Sequence, residues 1–363
     1  MVFIALSLLT LLFFILNNKK SSKWPSVLLI IAYAIVFSMR DMEVADTEPY
    51  YDVYEGLIDP NMEIGYLFLN VVFKSWGFSF SGFLLIIAIF DLLFWYFCTK
   101  KALMQSNILI PLLLFMSNMG MIYYGIVLRS GMASSIMLVP ITYVILSYET
   151  ISSSLSINLL NLSKHVKLFL LFGVGLFFAG LFHQSAYIVI VALALYYIPL
   201  TKKWQHIFLI LALVIGSIPS APHYISSIVQ PILLGGDLRM SGRFDREIVH
   251  GLSYYQIINV IIGFLYIYMA KYIENPVKQK QYQFILNLYV VGVFMSGAFS
   301  FLVAGARIGH LLIFYEFFLP AILMNNITNK AIQKKVFITF VVIVIINFAR
   351  NFYGTPSLID YLK

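Results

Sequence analysis

Half of the 16 acidic residues of this chain fall in one short stretch: Asp41, Glu43, Asp46, Glu48, Asp52, Glu55, Asp59 and Glu63. Arg40 stands directly before them, and Tyr50, Tyr51 and Tyr54 stand among them. Carboxylates at this density can accept a proton from a hydroxyl or hold a divalent cation. A guanidinium beside them binds carboxylate or phosphate through parallel N–H bonds. Tyrosine rings suit stacking on a sugar or a seat at a membrane interface. Asp52, Glu55 and Asp59 are expected to form only a solvated acidic surface. Arg40, Asp46 and Tyr50 carry the chemical interest.

Further constellations lie downstream. The stretch "LRSGMASSI" sets Arg129 between two apolar runs, beside the small residues Gly131, Ala133, Ser134 and Ser135. Small residues let helices approach closely, so Arg129 is expected to face protein. The stretch "GLFHQSAYI" sets His183 between two short apolar runs. An imidazole titrates near neutrality and is a natural proton carrier, although a hydrogen-bonding core histidine is the plainer alternative. In "GGDLRMSGRFDRE", Arg239, Arg243 and Arg246 interleave with Asp237, Asp245 and Glu247. That pattern reads either as a self-neutralised surface helix or as a clamp over a pyrophosphate or glycan. The stretch "GARIGHLLIFYEFFLP" places Arg307 at the start of an apolar run, with Tyr315 and Glu316 deeper. Ionisable residues in such runs, Asp91 included, are candidates for function.

The elements that position these residues are membrane helices. The chain has 363 residues, 61% hydrophobic and 11% charged, against about 45–50% and about 25% in a soluble domain. Apolar runs long enough to span are centred on 2–17, 25–39, 82–99, 107–126, 130–148, 167–182, 184–200, 205–219, 254–270, 284–304, 307–325 and 336–349. The fold class is all-α, a polytopic membrane protein of about 12 transmembrane helices in one domain, 1–363, with polar loops at 40–63 and 220–253. Met1–Leu16 has neither a basic start nor a small-residue cleavage site and is expected to remain as a helix. One cysteine, Cys98, excludes an internal disulfide and a Cys-based metal cluster. There is no P-loop or other Gly-rich phosphate cradle.

Lysine orients the chain, because basic residues in short loops stay cytoplasmic. Lys19, Lys20 and Lys23, Lys100 and Lys101, Lys164 and Lys167, Lys202 and Lys203, Lys271, Lys278 and Lys280, and Lys330, Lys334 and Lys335 all fall on one side if both termini lie outside. This requires that Ile64–Phe80, which holds Lys74, be a re-entrant or interfacial helix. All seven arginines, Arg350 among them, then fall at the outer face. Arginine is thus placed by something other than topology, and an anionic, phosphorylated substrate in the membrane suits its planar donors.

The ordered set Arg40…Asp46…Tyr50, Glu63-Ile64-Gly65, Arg129 with Ala133, His183-Gln184-Ser185-Ala186 and Arg307…Tyr315 resembles the EpsG-like branch of the Wzy polymerases. The resemblance implies a GT-C-like glycosyltransferase of the bacterial inner membrane. Such an enzyme joins lipid-linked repeat units of O-antigen, capsule or exopolysaccharide at the periplasmic face without a nucleotide sugar. Its donor and acceptor would be glycans on undecaprenyl pyrophosphate, with membrane lipids and a chain-length regulator as further partners and no nucleic acid. On this reading Asp46, His183, Arg129 and Arg307 do the chemistry. Arg40, Tyr50, Tyr51, Glu63, Arg239, Arg243, Arg246 and Tyr315 bind substrate. The acceptor proton goes to Asp46 or His183; no cofactor is called for, and a divalent cation on the acidic stretch stays open. A lipid-linked oligosaccharide flippase, an O-antigen ligase and an outer-face acyltransferase are the alternatives. A flippase should line a cavity with charge from both faces, whereas these arginines collect at one.

Overall fold

The computed structural model describes residues 2–16, 23–57, 62–104, 108–151, 159–218, 252–299 and 303–354. Every regular element among them is helical. This is the arrangement that satisfies each backbone N–H and C=O within its own segment when water is absent. Among the described residues, five helices are long and apolar enough to cross a membrane: Phe80–Leu103, Leu128–Glu149, Leu162–Gly180, Ile308–Asn325 and Lys330–Asn351. The helix Leu159–Gly180 leaves Phe169, Leu170 and Phe177 more than half exposed, an apolar face suited to lipid.

The helix Pro276–Ala298 lies at the centre, with most of its side chains buried. Asn275 starts it, its side chain accepting from the Val277 and Lys278 backbone N–H groups as an N-cap does. It crosses Val303–Ile313 at Gly292, where a Cβ would sit 2.7 Å from the Gly309 carbonyl oxygen. Two glycines therefore set that crossing, as small residues do when no hydrophobic drive separates helix from lipid.

Three expected spans are not continuous α-helices. The run 107–126 becomes Leu109–Phe115, a π-helical turn Met116–Gly120, and Met121–Gly125. The run 184–200 starts as a 3₁₀ helix, Gln184–Ile190, before Val191–Tyr197. The run 307–325 is broken by Phe314–Phe317. Hydropathy is blind to such breaks, because they change backbone pairing and not side-chain polarity. The loop 40–63 also holds a helix, Thr47–Glu55. The segment expected to stay at one face forms the 12-residue helix Ile64–Ser75. At 1.5 Å per residue it is about 18 Å long, short of the roughly 30 Å hydrocarbon core. Lys74, the lysine out of place in the topology, meets Glu55 at 3.0 Å.

The two ends of the bundle differ. The Glu149 carboxylate pairs with Lys278, and Gln281 donates to the Ile145 carbonyl at 2.7 Å. These contacts tie the last turns of Leu128–Ile151 to a lysine-bearing end. Arg129 is in the first turn of that same helix, about 30 Å away along its axis.

Candidate active site

Glu63 is the hub. It is the residue before the helix Ile64–Ser75, with extended backbone. One carboxylate oxygen pairs with Nη1 of Arg129, and the other lies 3.2 Å from Nδ1 of His183. The Gly65 N–H donates to the Leu181 carbonyl at 2.8 Å, and a Cβ on Gly65 would stand 2.7 Å from that same oxygen. Glycine is therefore what lets this helix start close against the turn that carries His183. His183 has extended backbone just before the 3₁₀ helix Gln184–Ile190, and its carbonyl accepts from the Ala186 N–H at 3.0 Å.

Glu63 is held below the ordinary carboxylate range. Burial pushes its pKa up, but the His183 hydrogen bond and the Arg129 charge outweigh that push. It is thus an anion at neutral pH, shared between a guanidinium and an imidazole.

Tyr50 sits beside this group, on the short helix Thr47–Glu55, and is buried. Two guanidinium carbons flank its ring, Arg40 at 5.5 Å and Arg129 at 5.7 Å from the centroid. Both are within reach of a cation–π contact. Burial pushes the Tyr50 hydroxyl above its usual value, against the pull of Arg129. The ring packs on Tyr66 at 5.3 Å. Asp46 precedes the helix in the left-handed region, φ 62°, a conformation aspartate tolerates better than most residues, and it is close enough to act electrostatically on Tyr50.

Arg40 differs from Arg129. It is 7% exposed, and only Nη1 is engaged, donating to the Gly125 and Ile126 carbonyls at 3.3 and 3.4 Å. Its Nε and Nη2 are buried and, among the described residues, have no hydrogen-bond partner. Among the described residues no carboxylate lies in ion-pair range of it. Unpaired buried donors on a cation are costly and suit an incoming anion.

The structure therefore gathers Arg40, Asp46, Tyr50, Glu63, Arg129 and His183 from three separate stretches of sequence. It does not bring every candidate there. Tyr51 packs edge-on against Phe80 at 5.5 Å. Tyr54 donates to the Phe78 carbonyl at 2.6 Å, so these two rings brace the short helix. Tyr315 is fully buried with its ring on Phe314 at 5.3 Å, and among the described residues no hydrogen bond or ring contact joins it to the Glu63 group. Arg307 lies in the helix Val303–Ile313; its side chain lies outside the described residues, as do Asp59, Arg239, Arg243 and Arg246. Among the described residues no three His, Cys, Asp or Glu side chains gather as a metal site would need.

Arg350 is also turned inward rather than out to the interface. It is 8% exposed and donates to Asn259 and Asn118, each at 2.6 Å. Asn118 and Asn259 are not among the candidates that residue type and spacing pick out. Their signal was an amide inside an otherwise apolar run, as in "FMSNMGM".

A family model described as the EpsG family matches residues 23–362. No curated protein and no solved structure matches the chain.

Proposed function

Because the chain belongs to the EpsG family, we propose that it is a polysaccharide polymerase of the membrane, joining lipid-pyrophosphate-linked repeat units at the outer face. The observation that carries this reading is the Glu63 carboxylate held between Arg129 and His183, with Arg40 Nε and Nη2 nearby and without a hydrogen-bond partner among the described residues. In support of the face, the group lies at the opposite end of Leu128–Ile151 from the lysine-bearing end. Twelve spans and a GT-C-like architecture belong to the same proposal.

The chemistry follows from the geometry. The donor glycan leaves its lipid pyrophosphate as a hydroxyl of the incoming repeat unit attacks the anomeric carbon. One C–O bond forms, one breaks, and the electron pair departs with the pyrophosphate. The glycan stays on the incoming lipid carrier. His183 Nδ1 faces Glu63, which leaves Nε2 to take the hydroxyl proton. The anionic Glu63 then stabilises the imidazolium. Arg40 offers Nε and Nη2 to the departing pyrophosphate, where a fixed donor lowers the barrier most. Asp46, in the turn before the helix Thr47–Glu55 and in electrostatic range of Tyr50, takes a binding role. The flanked Tyr50 keeps the two guanidiniums apart and in place.

The decisive test is to incubate purified protein with a single lipid-linked repeat unit and no nucleotide sugar. A ladder of longer glycans is expected. Transport of the unit across a vesicle membrane with no ladder would replace this reading by that of a flippase.

A further inference from the structure

A second buried polar group lies deeper in the bundle, and the chemistry above does not use it. Its centre is Asn118, in the π-helical turn Met116–Gly120. Its side-chain oxygen accepts from Arg350 Nη2 at 2.6 Å, and its amide donates to Glu316. The other Glu316 oxygen accepts from the Tyr266 hydroxyl at 2.7 Å. Arg350 also donates to Asn259 and lies 3.9 Å over the Tyr255 ring. A buried guanidinium and a buried carboxyl group are thus linked through one asparagine rather than touching. Charge in a membrane interior is expensive and is kept for a reason.

The neighbouring residue points to that reason. Asn351 donates its amide to the Ser117 and Asn118 carbonyls at 2.9 and 3.1 Å. A π-helical turn is wider than an α-turn and leaves carbonyls without their usual donors. In lipid those carbonyls need a substitute, and Asn351 supplies it. Directly beyond the π-turn, Met121–Gly125 leads to the Gly125 and Ile126 carbonyls on which Arg40 rests. Gly125 is seven residues from Asn118, about 10 Å along the axis.

We propose that Arg350 and Asn351 are positioning residues for the outer-face site. They hold the π-turn Met116–Gly120 from the last helix, and the turn fixes where the Gly125 and Ile126 carbonyls meet Arg40. The inference rests on the polymerase reading only for its kinetic consequence; the structural linkage is tested without it.

The experiment uses full-length protein with Cys98→Ser and one reporter cysteine, at Met121 or at Leu288, both buried. Labelling by N-ethylmaleimide reports local opening. Asn351→Leu should speed labelling at Met121→Cys by tenfold or more and leave Leu288→Cys unchanged. Asn118→Leu, which attacks the same link from the other side, should give the same local pattern. Asn351→Gln, which keeps the donor, should restore most of the protection. In the ladder assay Asn351→Leu should lower kcat by about 10–100-fold with little change in KM, since the unit still binds but Arg40 is displaced. Unchanged labelling at position 121, or equal acceleration at both reporters, would overturn the proposal. Local acceleration without any ladder from wild-type protein would leave the linkage standing and refute the polymerase reading instead.

Discussion

Gly65→Ala is a one-carbon change that tests how the site is built. Gly65 lies in the first turn of a helix, where alanine is favoured over glycine by up to about 1 kcal/mol. On propensity alone the variant should be slightly more stable. The new Cβ would stand 2.7 Å from the Leu181 carbonyl oxygen, whereas ordinary contact begins at 3.4 Å. Helix and turn must then separate by about 0.7 Å, a strain on the order of 1–3 kcal/mol. The same movement stretches the 2.8 Å bond from the Gly65 N–H to Leu181. It also carries Glu63, two residues away, off His183, taking their 3.2 Å contact to roughly 3.9 Å, past hydrogen-bonding range. Misplacement on this scale costs about 100-fold in rate. The assay is ladder formation from a lipid-linked repeat unit by protein in membranes, normalised to folded protein. Gly65→Ala should accumulate and bind the lipid-linked unit while forming chains about 100-fold more slowly. Wild-type rates from a normally folded variant would refute the claim that this close approach sets the site.

Glu63→Gln should lower turnover by about 10²–10⁴-fold, the usual worth of a general acid–base arrangement. It should cost less stability than the about 3–5 kcal/mol of breaking a fully buried ion pair, because the Glu63 and Arg129 side chains remain 12% and 18% exposed. The pH dependence follows from the depressed Glu63 pKa. Its stabilising contribution is complete above the unfolded value, about 4.3, and is lost as pH falls through the lower native value. The melting-temperature gap between wild type and Glu63→Gln should therefore persist at pH 5 and close below the carboxylate range; closure by pH 6 would contradict it. Arg40→Lys keeps the charge but loses the planar fork and should express normally yet polymerise poorly, with near-normal ladders counting against an anion contact. His183→Gln should abolish chain growth with substrate still bound, while Asp46→Asn should mainly raise KM; the reverse pattern in steady-state kinetics would exchange their roles. With Cys98→Ser, an impermeant maleimide added outside should reach Glu48→Cys and not Asn329→Cys, and labelling of the second from outside would invert the topology.

Composition alone determined that this is a helical membrane protein, because lipid admits few other backbones and 61% hydrophobic content demands burial or lipid. The separation of lysine from arginine was equally legible, since it is a one-dimensional pattern, and Arg40, Asp46, Tyr50, Arg129 and His183, which the structure draws together, stand out by residue type. The ranking among them was not legible. Glu63 reads in the sequence as a substrate-binding residue of the Glu63-Ile64-Gly65 motif, with the acceptor proton left between Asp46 and His183. Glu63 reaches Arg129 across 66 residues and His183 across 120. Only the packing of a short helix against a turn, permitted by a glycine, brings them together. The π-turn at Met116–Gly120 and its partners Asn351 and Arg350 were hidden for the same reason. Periodicity and hydropathy are local sums along the chain, whereas a buried polar side chain is satisfied by whichever distant group the tertiary structure sets beside it.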